Sequence, residues 1–327
     1  MTIENLENKW LKLEKINSGD NPWVYLILDE DCVPKLNIAI NDKNNRCVLL
    51  KTDGNISFKM KEIIQENIKF SYSKIYKQYV LELLDGSFSD LFDELIISLY
   101  NKIHNESDTK KTISIFTATI IKWISFFNKG TSALLSEVVI RGLFGELIAL
   151  KDYLISMDNR DVNEILDSWQ GPYNSPTDFV FDNALVEVKT KRIDASIVKI
   201  SSAYQLEEEE GKSLTLRVVS LETTKDSLET ISTVFLDIKN IIFEKSGDLG
   251  VFINALNGLG ISYQTITTYD NYCYTPKEIT DYNCLLENKE LSFPRISSDN
   301  LPKQITKVKY HLNLHTLGDF IITTKKI

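Results

Sequence analysis

The segment SPTDFVFDNALVEVKTK, residues 175–191, holds three charged side chains, Asp178, Glu187 and Lys189, whose types and spacing could hold a divalent cation. Asp182-Asn183 reads as a two-residue hairpin turn, because both residue types tolerate positive φ. Counting outward from that turn opposes Phe181 to Ala184, Val180 to Leu185, Phe179 to Val186 and Asp178 to Glu187. Side chains alternate along a strand. Asp178, Glu187 and Lys189 therefore share one face, and Phe179, Phe181, Val186 and Val188 share the other, the expected core face. Directly opposed residues have Cβ atoms about 4.5–5.5 Å apart, where like charges repel. A divalent cation would relieve that repulsion, since Mg²⁺ favours carboxylate and water oxygens. Lys189 would set an ammonium beside the ion. A hairpin with a solvated polar face would also carry these charges, with no chemistry attached.

A further carboxylate stands upstream in RGLFGEL, where a helical pattern places Glu146 near a helix centre. Gly142 and Gly145 flank it on one helix face, and each costs about 1 kcal/mol relative to Ala in a helix interior. Close approach of another backbone, such as the sheet carrying Asp178, would explain them. Simple helix packing with Glu146 exposed is the alternative.

Pro176-Thr177-Asp178 followed by Glu187-Val188-Lys189 resembles the P-D…(D/E)-x-K signature of restriction-endonuclease-like nucleases, with Thr177 intervening between the Pro and the Asp. The stretch from Arg141 to about Leu221 resembles a bacterial group of PD-(D/E)XK motif proteins, including the Ile200-Ser201-Ser202 and Gln205-Leu206 pattern. The resemblance covers about a quarter of the chain strongly. It implies an α/β restriction-endonuclease-like core, a mixed central sheet flanked by helices, and Mg²⁺-dependent hydrolysis of DNA phosphodiester bonds, with Mn²⁺ as a substitute. Asp178 and Glu187 would hold the metal, with the Val188 carbonyl as a third ligand. Lys189 would orient water or stabilise the transition state, Glu146 would serve a second metal or its water shell, and Gln205 would orient water or phosphate. The implied setting is bacterial restriction or phage defence, with DNA, a second copy of the chain and defence-operon proteins as partners. A non-catalytic DNA-binding or assembly subunit that kept the fold is the main competing reading, and an enzyme of another class that shares only the hairpin is a third.

Composition sets limits on these readings. The 327 residues are 43% hydrophobic and 25% charged, as in ordinary globular proteins. A net charge of −9 argues against a generally basic nucleic-acid binder. A nuclease needs only a local basic groove, to which a bound cation adds charge. Cys32, Cys47, Cys273 and Cys284 form no C-x-x-C pair, so a zinc knuckle is not supported, and four cysteines in a chain this long fit a reducing cytoplasm. MTIENLENKW lacks the regions of a signal peptide, and Thr112 to Phe127 is too short and polar to span a bilayer, so no membrane association is expected. Gly211-Lys212-Ser213 lacks the earlier glycine of a P-loop, position 206 being Leu206.

The elements that must position these residues follow from periodicity. Residues 1–105 read as a β-rich region that binds DNA or a partner, and 106–327 as the nuclease domain with a β-rich C-terminal extension. Short β-prone runs lie at Trp23 to Leu28, Leu36 to Ile40, Cys47 to Leu50 and Tyr79 to Leu83, with turns at Asp53-Gly54 and Asp85-Gly86. Helical spacing begins at Ser89, and a second helix covers Thr112 to Asn128 with Gly130 as its stop. A third runs from Ser132 to about Ile155, and others at Leu228 to Glu244 and Leu249 to Leu256. Strands are expected at Asp178 to Phe181, Ala184 to Lys191 and Leu214 to Leu221. Another, around His311, turns Lys307, Lys309, His311, Asn313 and His315 to solvent. Lys191 and Arg192 are phosphate-contact candidates, and Trp169 reads as a packing anchor for the loop entering the hairpin.

Overall fold

The computed structural model describes the chain except residues 17–21, 31, 53–60, 129–133, 158–159, 224–226, 288–290, 298–300 and 303. The expected turn at Asp53-Gly54, the stop at Gly130 and the helix start at Ser132 lie outside the described residues. Contacts divide the chain into Met1–Gly130 and Thr131–Ile327. The division falls after Gly130 rather than near residue 105.

In the first unit α1 (Ile3–Leu13) precedes a six-stranded antiparallel sheet. Its strands are β1 (Trp23–Ile27), β2 (Leu36–Asn41), β3 (Arg46–Lys51), β4 (Ile63–Ile64), β5 (Ile68–Ser73) and β6 (Gln78–Leu83), in the order β1-β2-β3-β6-β5-β4. Helices α2 (Ser89–Ile103) and α3 (Thr109–Ile124) follow. Leu6, Trp10 and Leu13 repeat at helical spacing and are buried, and Thr2 caps the helix by accepting from the Asn5 amide. That helix and strands β4 and β5 were not among the expected elements. One sheet face packs through Phe70 and Tyr79 against Phe116 of α3.

The second unit is a mixed α/β assembly. Its main sheet has the order β13-β11-β10-β8-β7, built from β7 (Phe179–Val180), β8 (Ala184–Arg192), β10 (Ser213–Glu222), β11 (Thr275–Asn283) and β13 (Ile321–Lys326). Strands β8 and β10 run parallel, and the other pairs are antiparallel. Helix α4 (Glu137–Ser156) lies on β8 and β10 and packs against α6 (Ile231–Glu244). Helices α5 (Val162–Ser168) and α7 (Leu249–Gly258) complete the set. Val186 and Val188 alternate with Leu185 and Glu187 along β8, so they take the opposite side of the sheet. Phe179 and Phe181 meet Tyr153 of α4 edge-on. The other side carries Leu185, Leu214, Leu216 and Val218 into a second apolar cluster. That cluster also includes Val198 and Ile200 of β9 (Ile197–Ile200) and Leu312 of β12 (Tyr310–Asn313). Strand β12 pairs with β9, and His311, Asn313 and His315 are exposed as their alternation with buried Leu312 and Leu314 predicts.

Candidate active site

Strands β7 and β8 pair Phe179 with Val186 and Val180 with Leu185, and Phe181 donates its amide to the Ala184 carbonyl. This is the register counted from the Asp182-Asn183 turn. Asp178 stands one residue before β7. Its carbonyl accepts from the amides of Gln170 (2.8 Å) and Gly171 (3.0 Å), and its Oδ2 accepts from the Val188 amide at 2.7 Å. Backbone on both sides therefore fixes this carboxylate.

Glu187 has no exposed surface. Both sheet faces are covered, so the solvated hairpin that its charges alone allowed is not what forms. Lys189 donates to Glu187 Oε1, while Glu187 Oε2 is buried without a hydrogen-bond partner. An orphaned carboxylate oxygen in the interior is costly unless some cation or proton meets it.

Gly145 presses α4 against β8: a Cβ there would lie 2.0 Å from Thr190 Cγ2. The close approach expected of the glycine pair is thus made by Gly145 against a side chain of β8, whereas Gly142 has nothing within 4 Å. The following residue, Glu146, accepts at Oε2 from the Trp169 indole (2.9 Å). Trp169 is buried and bridges to Phe179, so the expected packing anchor also holds an acidic side chain. A Cβ on Gly171 would stand 2.6 Å from Glu146 Oε2 and 3.2 Å from Asp178 Oδ1. Two carboxylates thus converge on a backbone position that has no side chain. Sequence reasoning missed Gly171 and the polar role of Trp169; the Trp-x-Gly-Pro string ahead of Asp178 was the available signal.

Electrostatics reflect this crowding. Burial, then repulsion from Asp178, pushes Glu146 up to about 8. Burial also raises Asp178, against the pull of Lys189 and the Val188 amide. Glu187 rises well above its ordinary value through burial and the Asp178 charge. Burial alone would lower Lys189, but Glu187, Asp178 and Glu146 outweigh it and hold the ammonium charged. Three acids and one base share this space, so the full set of charges is short of positive charge.

Among the described residues, no group of three or more His, Cys, Asp or Glu side chains is placed to hold a metal ion as the side chains stand. The donor chemistry nevertheless fits a hard divalent cation: the orphaned Glu187 Oε2, and Asp178 Oδ1 directed toward Gly171, are oxygen donors. Gln205 lies in a short 3-10 turn, and its Oε1 accepts from the Ser201 amide at 2.7 Å. Arg192 is exposed and paired with Asp194 at 2.9 Å, and Lys191 turns to the carbonyls of Arg192 and Ile193. Lys212 pairs with Glu209, in keeping with a solvent turn and not a phosphate loop.

A mixed sheet that delivers Asp178, Glu187 and Lys189 beside a helix-borne Glu146 defines a chain of the PD-(D/E)XK class. Residues 6–315 match the model of a family described as "Putative PD-(D/E)XK family member, (DUF4420)", and the chain belongs to that family. No curated protein and no solved structure shows significant similarity to it. Among the described residues no helix is long and apolar enough to cross a membrane.

Proposed function

We propose that the chain is a divalent-metal-dependent deoxyribonuclease with a restriction-endonuclease-like core, acting in bacterial restriction or phage defence. The observation that carries this reading is the fully buried Glu187, bonded to Lys189 on one oxygen and unpartnered on the other. Family membership supports it. Asp178 and Glu187 would hold Mg²⁺ or Mn²⁺, with the Val188 carbonyl as third donor and Glu146 toward a second ion or its water. A cation held there supplies positive charge for the scissile phosphate and acidifies water.

The remaining work belongs to the chain. The Val188 amide fixes Asp178, so that carboxylate needs no rearrangement to receive its ligand. The Lys189 ammonium, kept charged by its acidic neighbours, orients the attacking water and stabilises charge gathering on the phosphate. Trp169 anchors Glu146, and glycine at 171 leaves the space between the two carboxylates open. Gln205 would orient water or phosphate from the loop after β9.

Supercoiled plasmid incubated with Mg²⁺ or Mn²⁺ tests the reading. The wild type should nick or linearise it, and EDTA should abolish cleavage. Lys189→Ala should lose about 10²–10³-fold in rate, the usual cost of removing one preorganised charge-stabilising group. Cleavage that survives EDTA, or that Lys189→Ala leaves at the wild-type rate, would contradict the assignment. Cation binding without cleavage would favour a non-catalytic DNA-binding or assembly subunit.

A further inference from the structure

The face of the first unit's sheet that points away from Phe116 carries a pocket of about 330 Å³. Its lining includes Trp23, Tyr25, Asn37, Lys51, Tyr76 and Gln78. Strand alternation and register bring these together: Ile27 pairs with Asn37, Asn37 with Leu49, and Lys51 with Gln78, so the floor crosses four strands. Ala39, Cys47, Leu49 and Val80, with Trp23 against them, form a small apolar base beside it.

Three features of this pocket are unusual for a solvent-facing sheet. Tyr25 is 58% exposed and Tyr76 45%, although tyrosine rings commonly find cover. Tyr76 meets Trp23 edge-to-face at 5.0 Å, so aromatic surface is gathered at one rim. Asn37 is the reverse case. It is only 6% exposed, yet its Oδ1 is buried without a hydrogen-bond partner, and its Nδ2 reaches only the Lys35 carbonyl at 3.5 Å. A buried amide oxygen left unpartnered beneath a pocket is satisfied when the lining shifts to admit a ligand that brings its own donor. Gln78, 8% exposed, adds a second amide to the floor. Among the described lining residues Lys35 is tied to Glu30 by an ion pair, and Lys51 is an exposed cation at the opening.

Aromatic faces, amide edges and a nearby ammonium are the three groups that recognise a base, its hydrogen-bonding edge and its phosphate. We propose that this pocket receives an unpaired nucleobase of a DNA single strand. The base stacks on the Tyr25 and Tyr76 rings, its edge donates to Asn37 Oδ1, and the adjoining phosphate lies against Lys51. The pocket lies in a different unit from the acidic site, and it serves to engage a strand, not to cut it. The inference rests on the reading of the chain as acting on DNA.

The test is anisotropy of a short labelled single strand, with the full chain carrying Lys189→Ala so that the probe stays intact. A strand of abasic deoxyribose phosphates of equal length keeps the charge and removes the bases. The abasic strand and the Tyr25→Ala variant should each bind about 5- to 160-fold more weakly, the range for loss of one stacked base. Asn37→Leu should weaken binding while leaving thermal stability equal or higher, because it replaces an unpartnered buried amide by an apolar group of similar size. Equal binding of the abasic strand would overturn the proposal, as would Tyr25→Ala and Asn37→Leu binding like the parent. A free mononucleotide bound as tightly as the strand would overturn the strand assignment. Plasmid cleavage by the wild type is scored separately. Cleavage without a pocket effect sinks the pocket alone, and base-dependent binding without cleavage sinks the nuclease reading alone.

Discussion

A methyl group at Gly171 would stand 2.6 Å from Glu146 Oε2 and 3.2 Å from Asp178 Oδ1. Gly171→Ala should therefore keep the fold while turning Glu146 aside, and cleavage should fall by about 10- to 100-fold, as small displacements at reacting centres do. Trp169→Phe keeps the ring that packs against Phe252 but removes the donor to Glu146. It should weaken cation binding by about 10-fold or more, the cost of losing an outer partner of a ligand. Unchanged calorimetric affinity would remove Trp169 from the site. The acids also set a pH dependence. Glu146 holds its proton up to about 8, against an ordinary 4.5. The unfolded chain gives up that proton as pH rises through 4.5, so the folded chain binds more protons across this window. Stability is then full at the acid end and is lost as pH rises through 8. In EDTA the melting temperature should fall from about pH 5 to about pH 8.5, and Glu146→Gln should flatten the slope. A slope of opposite sign would show that the cluster is not proton-bound when metal-free.

At the scale of elements, α4 and β8 meet at one residue pair. Gly145→Ala would drive a Cβ to 2.0 Å from the stiff, β-branched Thr190. It should cost about 1–3 kcal/mol of stability through overpacking, recovered in part by Thr190→Ser. Gly142→Ala meets nothing and should instead stabilise by about 0.5–1 kcal/mol through helix propensity. Denaturant unfolding of the two variants reads the contrast, and equal effects would contradict the packing. The same pair shows what was legible beforehand. Two glycines at helical spacing signalled a close approach, but spacing alone could not say that only Gly145 makes it. The hairpin register was legible because local alternation and the Asp182-Asn183 turn determine it. The burial of Glu187 was not, because the apolar cluster on the Leu185 side of β8, the side Glu187 shares by alternation, draws on Tyr282, Phe293, Leu312 and Phe320, far away in sequence. The link from Trp169 to Glu146 was hidden for the same reason: it joins a loop to a helix separated by the chain's own turn. In the first unit β5, not among the expected strands, was legible too: Ile68, Phe70 and Tyr72 alternate strictly with Lys69, Ser71 and Ser73, the period of a half-buried strand, and β5 pairs with β6.

For the whole molecule, a net charge of −9 bears on both proposals. A negative protein repels a polyanion at long range, so DNA engagement must come from local groups and from cations it carries. Single-strand binding should therefore weaken only modestly as salt rises, with a log–log slope of about −0.7 for the one phosphate held by Lys51, and titration in increasing KCl measures it. A slope near zero would indicate contacts that do not involve phosphate. The same negative charge attracts divalent cations diffusely over the surface, and such binding is weak and indifferent to any one buried residue. Ion binding at the acidic site is distinguished by its dependence on Asp178. The decisive measurement is calorimetric titration of the full chain with Mn²⁺ at neutral pH, beside Asp178→Ala. Saturable binding with defined stoichiometry in the wild type, absent in the variant, is the result expected if Glu146, Asp178, Glu187 and Lys189 form a metal centre. Identical titrations of the two proteins would contradict it.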